Sequence, residues 1–185
     1  MSPSPFRIFV VAWTGLPKRS FIGVVHSLAV TTPERFPEAL RARFATLEEL
    51  HLAERPGDLF YQCFGCGPAH PTGLRVRCFK TDGGVLSPVL VPRLYEGPRA
   101  SAHGGIVATY LDEILAGAAV RVIGRIVVTG ELTVRYVKPV PLETPLVGRG
   151  SVTARHDRYV DVEGTIEDPT TTQVLAAARG RYFPV

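Results

Sequence analysis

The stretch SAHGGIVATYLDE, residues 101–113, organises the rest of the chain. Two glycines follow His103, and a long apolar run follows the glycines. Apolar residues recur there at intervals of three and four, the spacing of a helix with a buried face; they are residues 106, 107, 110, 111, 114, 115 and 118. The pattern predicts a buried helix from about Gly104 to Val120, whose first-turn glycines leave backbone N–H groups uncovered for a ligand.

Two acidic residues interrupt the apolar pattern of this helix. Asp112 follows Gly105 by seven residues, which is nearly two helical turns, so both point in the same direction. Seven residues also rise about 10 Å along a helix axis. One small carbonyl group therefore cannot contact both the glycine amides and Asp112 of the same helix. If both serve one reaction, a second copy of the chain supplies one of them, and the active site lies at a dimer interface.

Three motifs together resemble a known family. The first is His-Gly-Gly at 103–105 with Asp112 seven positions later, the second is CFGCGPAHPTGL at 63–74, and the third is YVKPVPL at 136–142. They resemble motifs of hotdog-fold acyl-CoA thioesterases of the PaaI-like (phenylacetate-type) subfamily, over about residues 60–185. The resemblance implies an α+β hotdog fold, in which an antiparallel sheet of five to six strands wraps around a central helix.

The resemblance also implies a thioesterase site on this helix. Backbone N–H groups at a helix N-terminus suit a developing oxyanion, so Gly104 is the expected donor, with Gly105 next. His103 would orient the thioester or donate a second hydrogen bond. Asp112 is in register with the family's carboxylate and would act as general base or nucleophile. Glu113 lies about 100° further round the helix and would substitute for Asp112 or form a surface or interface ion pair.

Four further residues complete the expected site. Thr129 stands where relatives carry a Ser or Thr whose hydroxyl helps to hold the water or the carboxylate. Arg135, Lys138 and Arg158 are candidates for contacts with the phosphates of coenzyme A. Thioester hydrolysis by these groups needs no metal or redox cofactor, and none is expected.

Cys63 and Cys66 form a Cys-x-x-Cys motif with His70 close by. A zinc site needs about four ligands, and a second pair at suitable spacing is missing. A redox pair would sit at a helix N-terminus in an α/β context, which the pattern does not predict. Small buried thiols in a glycine-rich turn remain the simpler interpretation. Relatives carry Asn where His70 stands, so no ligand-facing role is assigned to that position.

Bulk composition limits the class of protein. The chain has 185 residues, of which 45% are hydrophobic and 21% charged, as in a globular domain with a real core. The net charge of +4 is spread along the chain without a basic block, so no nucleic-acid partner is expected. No apolar run reaches ~18 residues without a charge or a proline, which predicts no membrane span, and cytoplasmic localisation is the default expectation.

The chain divides into two predicted parts. Residues 1–54 form an N-terminal extension, with an uncertain strand or hairpin before residue 32 and an amphipathic helix over about 34–53. Residues 55–185 form the hotdog domain. Its strands are predicted at 74–79, 85–91, 125–137, 146–156, 159–168 and 173–183 from alternating apolar residues bounded by turn residues.

These observations predict a homodimeric or tetrameric acyl-CoA thioesterase with shared active sites. One rival is a non-catalytic acyl-CoA-binding or sensing module on the same fold, because fold does not fix function. A hydratase of the same fold is the second rival. Hydratases place a histidine on the helix, and no histidine occurs between Gly104 and Arg155, which disfavours it.

Overall fold

The computed structural model describes residues 36–51 and 57–185. Both ranges belong to one compact unit, Thr31–Val185. The strands predicted before residue 32 lie outside the described residues, and so do both ends of the helix predicted over 34–53. Among the helices of the described ranges, none is both long and apolar enough to cross a membrane.

The predicted buried helix is present as α2, Gly104–Ile123. It begins directly after His103, whose backbone is extended with φ −62° and ψ 136° and whose side chain caps the first turn. It ends at Gly124, whose φ of 72° lies in the left-handed region that glycine adopts readily. The helix runs one turn past the predicted end at Val120, because Gly124 is the first residue that disfavours its continuation.

Six antiparallel strands form one sheet in the order β1-β2-β4-β5-β6-β3. The strands are β1 (Phe79–Thr81), β2 (Gly84–Val89), β3 (Val127–Tyr136), β4 (Leu146–Arg155), β5 (Val160–Glu167) and β6 (Val174–Pro184). Helix α2 lies between β2 and β3 in the chain and packs against five of the six strands. The predicted fold class, an α+β hotdog fold with a sheet of five to six strands around a central helix, is confirmed.

The core lies between α2 and the sheet. Leu111, Ile114 and Leu115 of the helix are fully buried, and truncation of such a side chain to alanine costs about 2–5 kcal/mol. Gly150 of β4 lets the two layers approach closely, since a Cβ there would lie 2.8 Å from the Ile114 carbonyl oxygen. The backbone of the helix is thereby held against the sheet, which fixes the position of every side chain that α2 directs towards the site.

The strand predicted over 74–79 is wrong for most of its length, because β1 begins only at Phe79. Residues 74, 76 and 78 are buried, which explains the alternating apolar pattern. Their backbone is used differently, however. Leu74 N–H donates to Phe64 C=O at 2.8 Å, and Val76 N–H donates to Gly65 C=O at 2.9 Å. The segment therefore pairs with residues 57–73, which we call the cysteine loop, and not with a neighbouring strand.

The amphipathic helix predicted over 34–53 is also wrong in its extent. A 3-10 turn at Glu38–Leu40 leads into helix α1, Arg41–Phe44, and the helix ends there. Leu40 and Phe44 pack with Phe79 and Val147 in a separate cluster. Beyond α1 the backbone joins the sheet edge, since Leu50 N–H donates to Cys78 C=O at 2.8 Å. The residues after α1 hydrogen-bond to the edge of the sheet, and a longer helix could not make these bonds. The predicted domain division between residues 54 and 55 stays a prediction.

Candidate active site

The N-terminus of α2 presents one available backbone donor. Nδ1 of His103 accepts a hydrogen bond from the Gly105 N–H at 3.0 Å. The Gly105 amide, predicted as the second oxyanion donor, is therefore already used by the helix cap. Within residues 36–51 and 57–185, the Gly104 amide donates to no other group. Because Nδ1 accepts, neutral His103 carries its proton on Nε2 and can donate from that atom.

Tyr136 closes over the same end of the helix. Its hydroxyl donates to the Gly104 carbonyl oxygen at 2.9 Å. A cavity of about 370 Å³ opens beside this contact, and its walls include Val107 and Lys138. Tyr136 belongs to the YVKPVPL motif but was not predicted as a site residue. The motif marks the residue, whereas its contact with Gly104, 32 residues away, is a tertiary feature.

Asp112 lies further along α2 and is held by two hydroxyl groups. Thr129 of β3 donates to Asp112 Oδ1 at 2.8 Å, and Tyr182 of β6 donates to the same oxygen at 2.9 Å. Thr129 thus lies where the sequence placed it, beside the carboxylate. Both donors converge on Oδ1, so they fix the orientation of the carboxylate and leave Oδ2 for another partner.

Tyr182 is a site residue that the sequence analysis missed. The side chain is fully buried, and burial, with the charge of Asp112 adding to it, raises the pKa of its hydroxyl well above the usual range. The hydroxyl therefore keeps its proton and remains a donor. The alternation of β6, in which residues 176, 178, 180 and 182 are buried, was the available signal, because it directs Tyr182 towards the helix.

A second cavity of about 230 Å³ contains Asp112. Thr129, Phe60 and Cys66 contribute to its walls. Gly104 lines the first cavity and Asp112 the second, and eight residues of one helix, roughly 12 Å, separate them. The donor and the carboxylate of one chain thus face different cavities, as the spacing predicted.

The part of the chain that contains most of this site matches the model of a known protein family. Residues 100–175, which include α2, β3, β4 and β5, match the family model of the thioesterase superfamily. No curated protein matches the chain.

Solved structures show the same fold. The thioesterase superfamily protein RHA08564 is 30% identical, with a TM-score of 0.57 over 64% of this chain and 61% of that one, so this chain spans less than two thirds of that protein. A putative thioesterase of Ralstonia eutropha JMP134, related to phenylacetic acid degradation, is 20% identical, with a TM-score of 0.55 over 63% and 89% of the two chains. These likenesses confirm the hotdog fold and, with the family-model match, the resemblance to hotdog-fold thioesterases.

A hypothetical thioesterase of Streptococcus pneumoniae TIGR4 was solved with coenzyme A. It is 21% identical to this chain, with a TM-score of 0.52 over 56% of this chain and 82% of that one. The same protein was also solved as variants in which an aspartate or a threonine is replaced by alanine.

Glu113 of the hotdog domain turns away from the Asp112 hydroxyl pair. Its carboxylate lies among the thiols of the cysteine loop, and Cys63 Sγ donates to Glu113 Oε1 at 3.6 Å. Burial raises the pKa of Glu113, and the charge of Asp112 adds to that effect. Burial and the Glu113 charge likewise raise the pKa of the Cys66 thiol. Within one chain Glu113 therefore contacts two cysteines, and its predicted interface ion pair stays a prediction.

The three basic residues predicted to contact coenzyme A lie in different places. Lys138 lines the cavity beside Gly104. Arg135 lines a groove of about 790 Å³ with Arg149, Thr165 and Arg179, on the sheet face opposite to Tyr136, because neighbouring strand residues alternate. Arg158 lies in the turn between β4 and β5. Lys138 thus shares a cavity with Gly104, a predicted oxyanion donor.

Proposed function

We propose that the protein is an acyl-CoA thioesterase, which hydrolyses a CoA thioester to free CoA and a carboxylic acid. The arrangement of Asp112 carries this proposal. Its carboxylate sits on an otherwise apolar helix, has one oxygen fixed by Thr129 and Tyr182, and faces a cavity. A carboxylate held in this way is suited to general-base work on water or to direct attack on a carbonyl carbon.

The proposed reaction uses Asp112, near the middle of α2, and the Gly104 amide at its N-terminus. Asp112 Oδ2 takes a proton from water while the water oxygen attacks the thioester carbonyl carbon. The carbonyl oxygen becomes an oxyanion, which the Gly104 N–H stabilises with the aid of the helix dipole. Collapse of this intermediate breaks the C–S bond, and the leaving CoA thiolate takes the proton that Asp112 removed from water, which regenerates the base. His103 Nε2 carries the proton in the neutral ring, because Nδ1 accepts from the Gly105 N–H, and it can donate a second hydrogen bond.

Two copies of the chain are needed to complete one site. Among the strands that the structure describes, β3 pairs only with β6, so the other edge of this ten-residue strand has no hydrogen-bonded neighbour there, and such an edge is a template for pairing with a second chain. Val128, Tyr136 and Val137 are exposed along it, at 47%, 54% and 47%. Antiparallel pairing of two β3 edges reverses one chain, which would bring Asp112 of one helix towards Gly104 of the other.

Coenzyme A is the proposed carrier of the acyl group. The hotdog protein of Streptococcus pneumoniae was solved with coenzyme A, and Lys138 gives this chain a cation at the cavity beside Gly104. A lysine ammonium attracts phosphate as a point charge. Lys138 is therefore the first of the three basic candidates to test, and Arg135 serves as the control on the other sheet face.

Steady-state release of free thiol from short, long and aromatic acyl-CoAs tests the proposal. The wild type is expected to turn over at least one ester, and Asp112→Asn, which keeps the shape of the side chain, is expected to lose about 10²–10⁴-fold in kcat. Asp82→Asn, an exposed carboxylate in the turn between β1 and β2, is the matched control and should retain wild-type activity.

Two outcomes would contradict the proposal. A wild type that binds an acyl-CoA but hydrolyses none would favour the non-catalytic binding module. Full activity of Asp112→Asn would remove Asp112 from the mechanism. The mass of the protein in solution decides the number of copies, since the shared site requires a dimer or a tetramer.

A further inference from the structure

Three side chains outside the proposed reaction converge on one point. Cys63, Cys66 and Glu113 each offer one ligand atom, and these atoms all lie within 4.8 Å of one another. Within the described ranges of the chain, this is the single group of His, Cys, Asp or Glu side chains with such spacing. His70, the neighbour that the sequence suggested, instead packs edge-on against Phe64.

The fold is built to bring the carboxylate into the cysteine loop. Gly65 lies between the two cysteines, and a Cβ at this position would collide with the Glu113 carboxylate. The loop is held close to the helix by the hydrogen bonds that Leu74 and Val76 make with Phe64 and Gly65. Because Gly65 has no side chain, the carboxylate of Glu113, fifty positions after Cys63, can enter the Cys-x-x-Cys turn.

The ligand chemistry favours a thiophilic divalent cation. Two thiolates and a carboxylate are zinc ligands, and zinc sites with three protein ligands keep the fourth position for water or another ligand. Metal ligands bind in their deprotonated forms, so Cys63, Cys66 and Glu113 would bring three negative charges, of which a divalent ion neutralises two. Arg75 lines a cavity of about 370 Å³ together with Cys66 and Glu113, and its positive charge would stabilise the third negative charge.

We propose that Cys63, Cys66 and Glu113 bind a zinc-like divalent cation that fastens the cysteine loop to α2. Cys66 and Glu113 line the cavity of Asp112 as well as the cavity of Arg75. A cation bound by these three residues would stabilise the wall between the two cavities. Water would supply its fourth ligand. The site is independent of the thioesterase reaction, and it departs from the sequence-based prediction that no metal binds.

Binding of Co²⁺ as a spectroscopic substitute for Zn²⁺ tests the site on the full chain. Metal-free, reduced protein is titrated with Co²⁺, and thiolate-to-cobalt absorption is expected to saturate at one ion per chain. Zn²⁺ should displace the cobalt and raise the unfolding temperature. Cys66→Ala and Glu113→Gln are each expected to weaken binding by at least about a hundredfold, more than loss of an outer partner costs. Circular dichroism of each variant verifies that it is folded.

Two further variants distinguish the site from general thiol chemistry. Cys78→Ala removes the third cysteine, whose Sγ lies 3.8 Å from the Glu113 carbonyl oxygen and which is not a proposed ligand. It should bind Co²⁺ like the wild type. Gly65→Ala keeps all three ligands but displaces the Glu113 carboxylate, and it should weaken binding by roughly tenfold, the lower end of the cost of disturbing a metal ligand's surroundings.

The proposal is overturned if wild-type protein shows no stoichiometric cobalt absorption or no zinc-dependent rise in unfolding temperature. Equal loss of binding in Cys78→Ala and Cys66→Ala would overturn it too. A mass two hydrogens lower after exposure of the zinc-treated protein to air would show a Cys63–Cys66 disulfide, and would assign the pair to redox chemistry instead.

Discussion

Asp112 and Glu113 are neighbours in the sequence, yet their carboxylates enter chemically different surroundings. Asp112 accepts hydrogen bonds from the hydroxyls of Thr129 and Tyr182. Glu113 lies about 100° round the helix and meets the thiols of Cys63 and Cys66. Both residues interrupt the same apolar run, and the motif spacing favours Asp112 as the base but does not predict what surrounds Glu113. Their partners decide their roles: hydroxyls orient one carboxylate towards a cavity, and thiols surround the other with potential metal ligands.

The largest expected effect is the difference between the two carboxylates in catalysis. Asp112→Asn is expected to lower kcat by about 10²–10⁴-fold, because it removes the proposed base. Glu113→Gln is expected to lose less than about tenfold, since the hydroxyl pair that orients Asp112 is untouched; tenfold corresponds to roughly 1.4 kcal/mol. Parallel measurements of kcat on one acyl-CoA check the difference. Equal losses would show that the two carboxylates act as one unit.

The N-terminus of α2 gives the next largest expected effect on kcat. Gly104→Pro removes the backbone N–H that is proposed to stabilise the oxyanion, and proline is well tolerated at the first position of a helix. His103, with ψ at 136°, already has the extended conformation that a following proline requires. Loss of one oxyanion donor is expected to lower kcat by about 10²–10³-fold. Gly104→Ala keeps the N–H and is the control; equal damage by both variants would point to crowding near Tyr136.

A smaller effect is expected from the hydroxyls that hold Asp112. Tyr182→Phe removes one of the two donors to Oδ1 while keeping the buried ring, and kcat should fall by about tenfold, the value of a hydrogen bond to a charged group near the low end of its range. Thr129→Val should act similarly. Because both donors bind the same oxygen, the double variant should depart from the product of the single effects. Strict additivity would contradict a shared role.

The smallest expected effect concerns the dependence of stability on pH. Burial raises the pKa of Glu113 above its ordinary value of 4.5. The folded state therefore binds this proton more tightly than the unfolded state, and stability falls as pH rises from about 4.5 through the raised pKa. In metal-free protein, urea unfolding midpoints should show this fall for the wild type and a weaker one for Glu113→Gln. Identical profiles would place Glu113 in a more solvated environment.

Much of the fold follows from local patterns. The buried helix and the strands β3 to β6 are predicted from periodicity and turn residues, since each packs the face that its apolar residues define. The predictions for residues 34–53 and 74–79 fail for one reason: both segments have burial patterns of regular elements, but their backbones pair with other parts of the chain. The hydrogen bond between Leu74 and Phe64 is a tertiary contact, which a pattern of apolar residues does not predict.

The site shows the same limit. The positions of Asp112, Thr129 and Gly104 follow from motif spacing. The contacts of Tyr182 with Asp112 and of Cys63 with Glu113 join residues 70 and 50 positions apart. The Gly105 N–H donates to His103 Nδ1, and this contact depends on the geometry of the helix cap. These features depend on how layers meet, so they become visible only in the folded chain.

Activity of mixed dimers tests the central claim, that one copy supplies Asp112 and the other supplies Gly104. Asp112→Asn and Gly104→Pro chains, carrying different affinity tags, are unfolded together, refolded and assayed, and purification through both tags verifies that mixed dimers form. Each variant alone should be nearly inactive. Random pairing restores one complete site in half of the dimers, so the mixture should regain about a quarter of wild-type activity. A mixture that contains mixed dimers and stays at the level of the separate variants would contradict a shared active site.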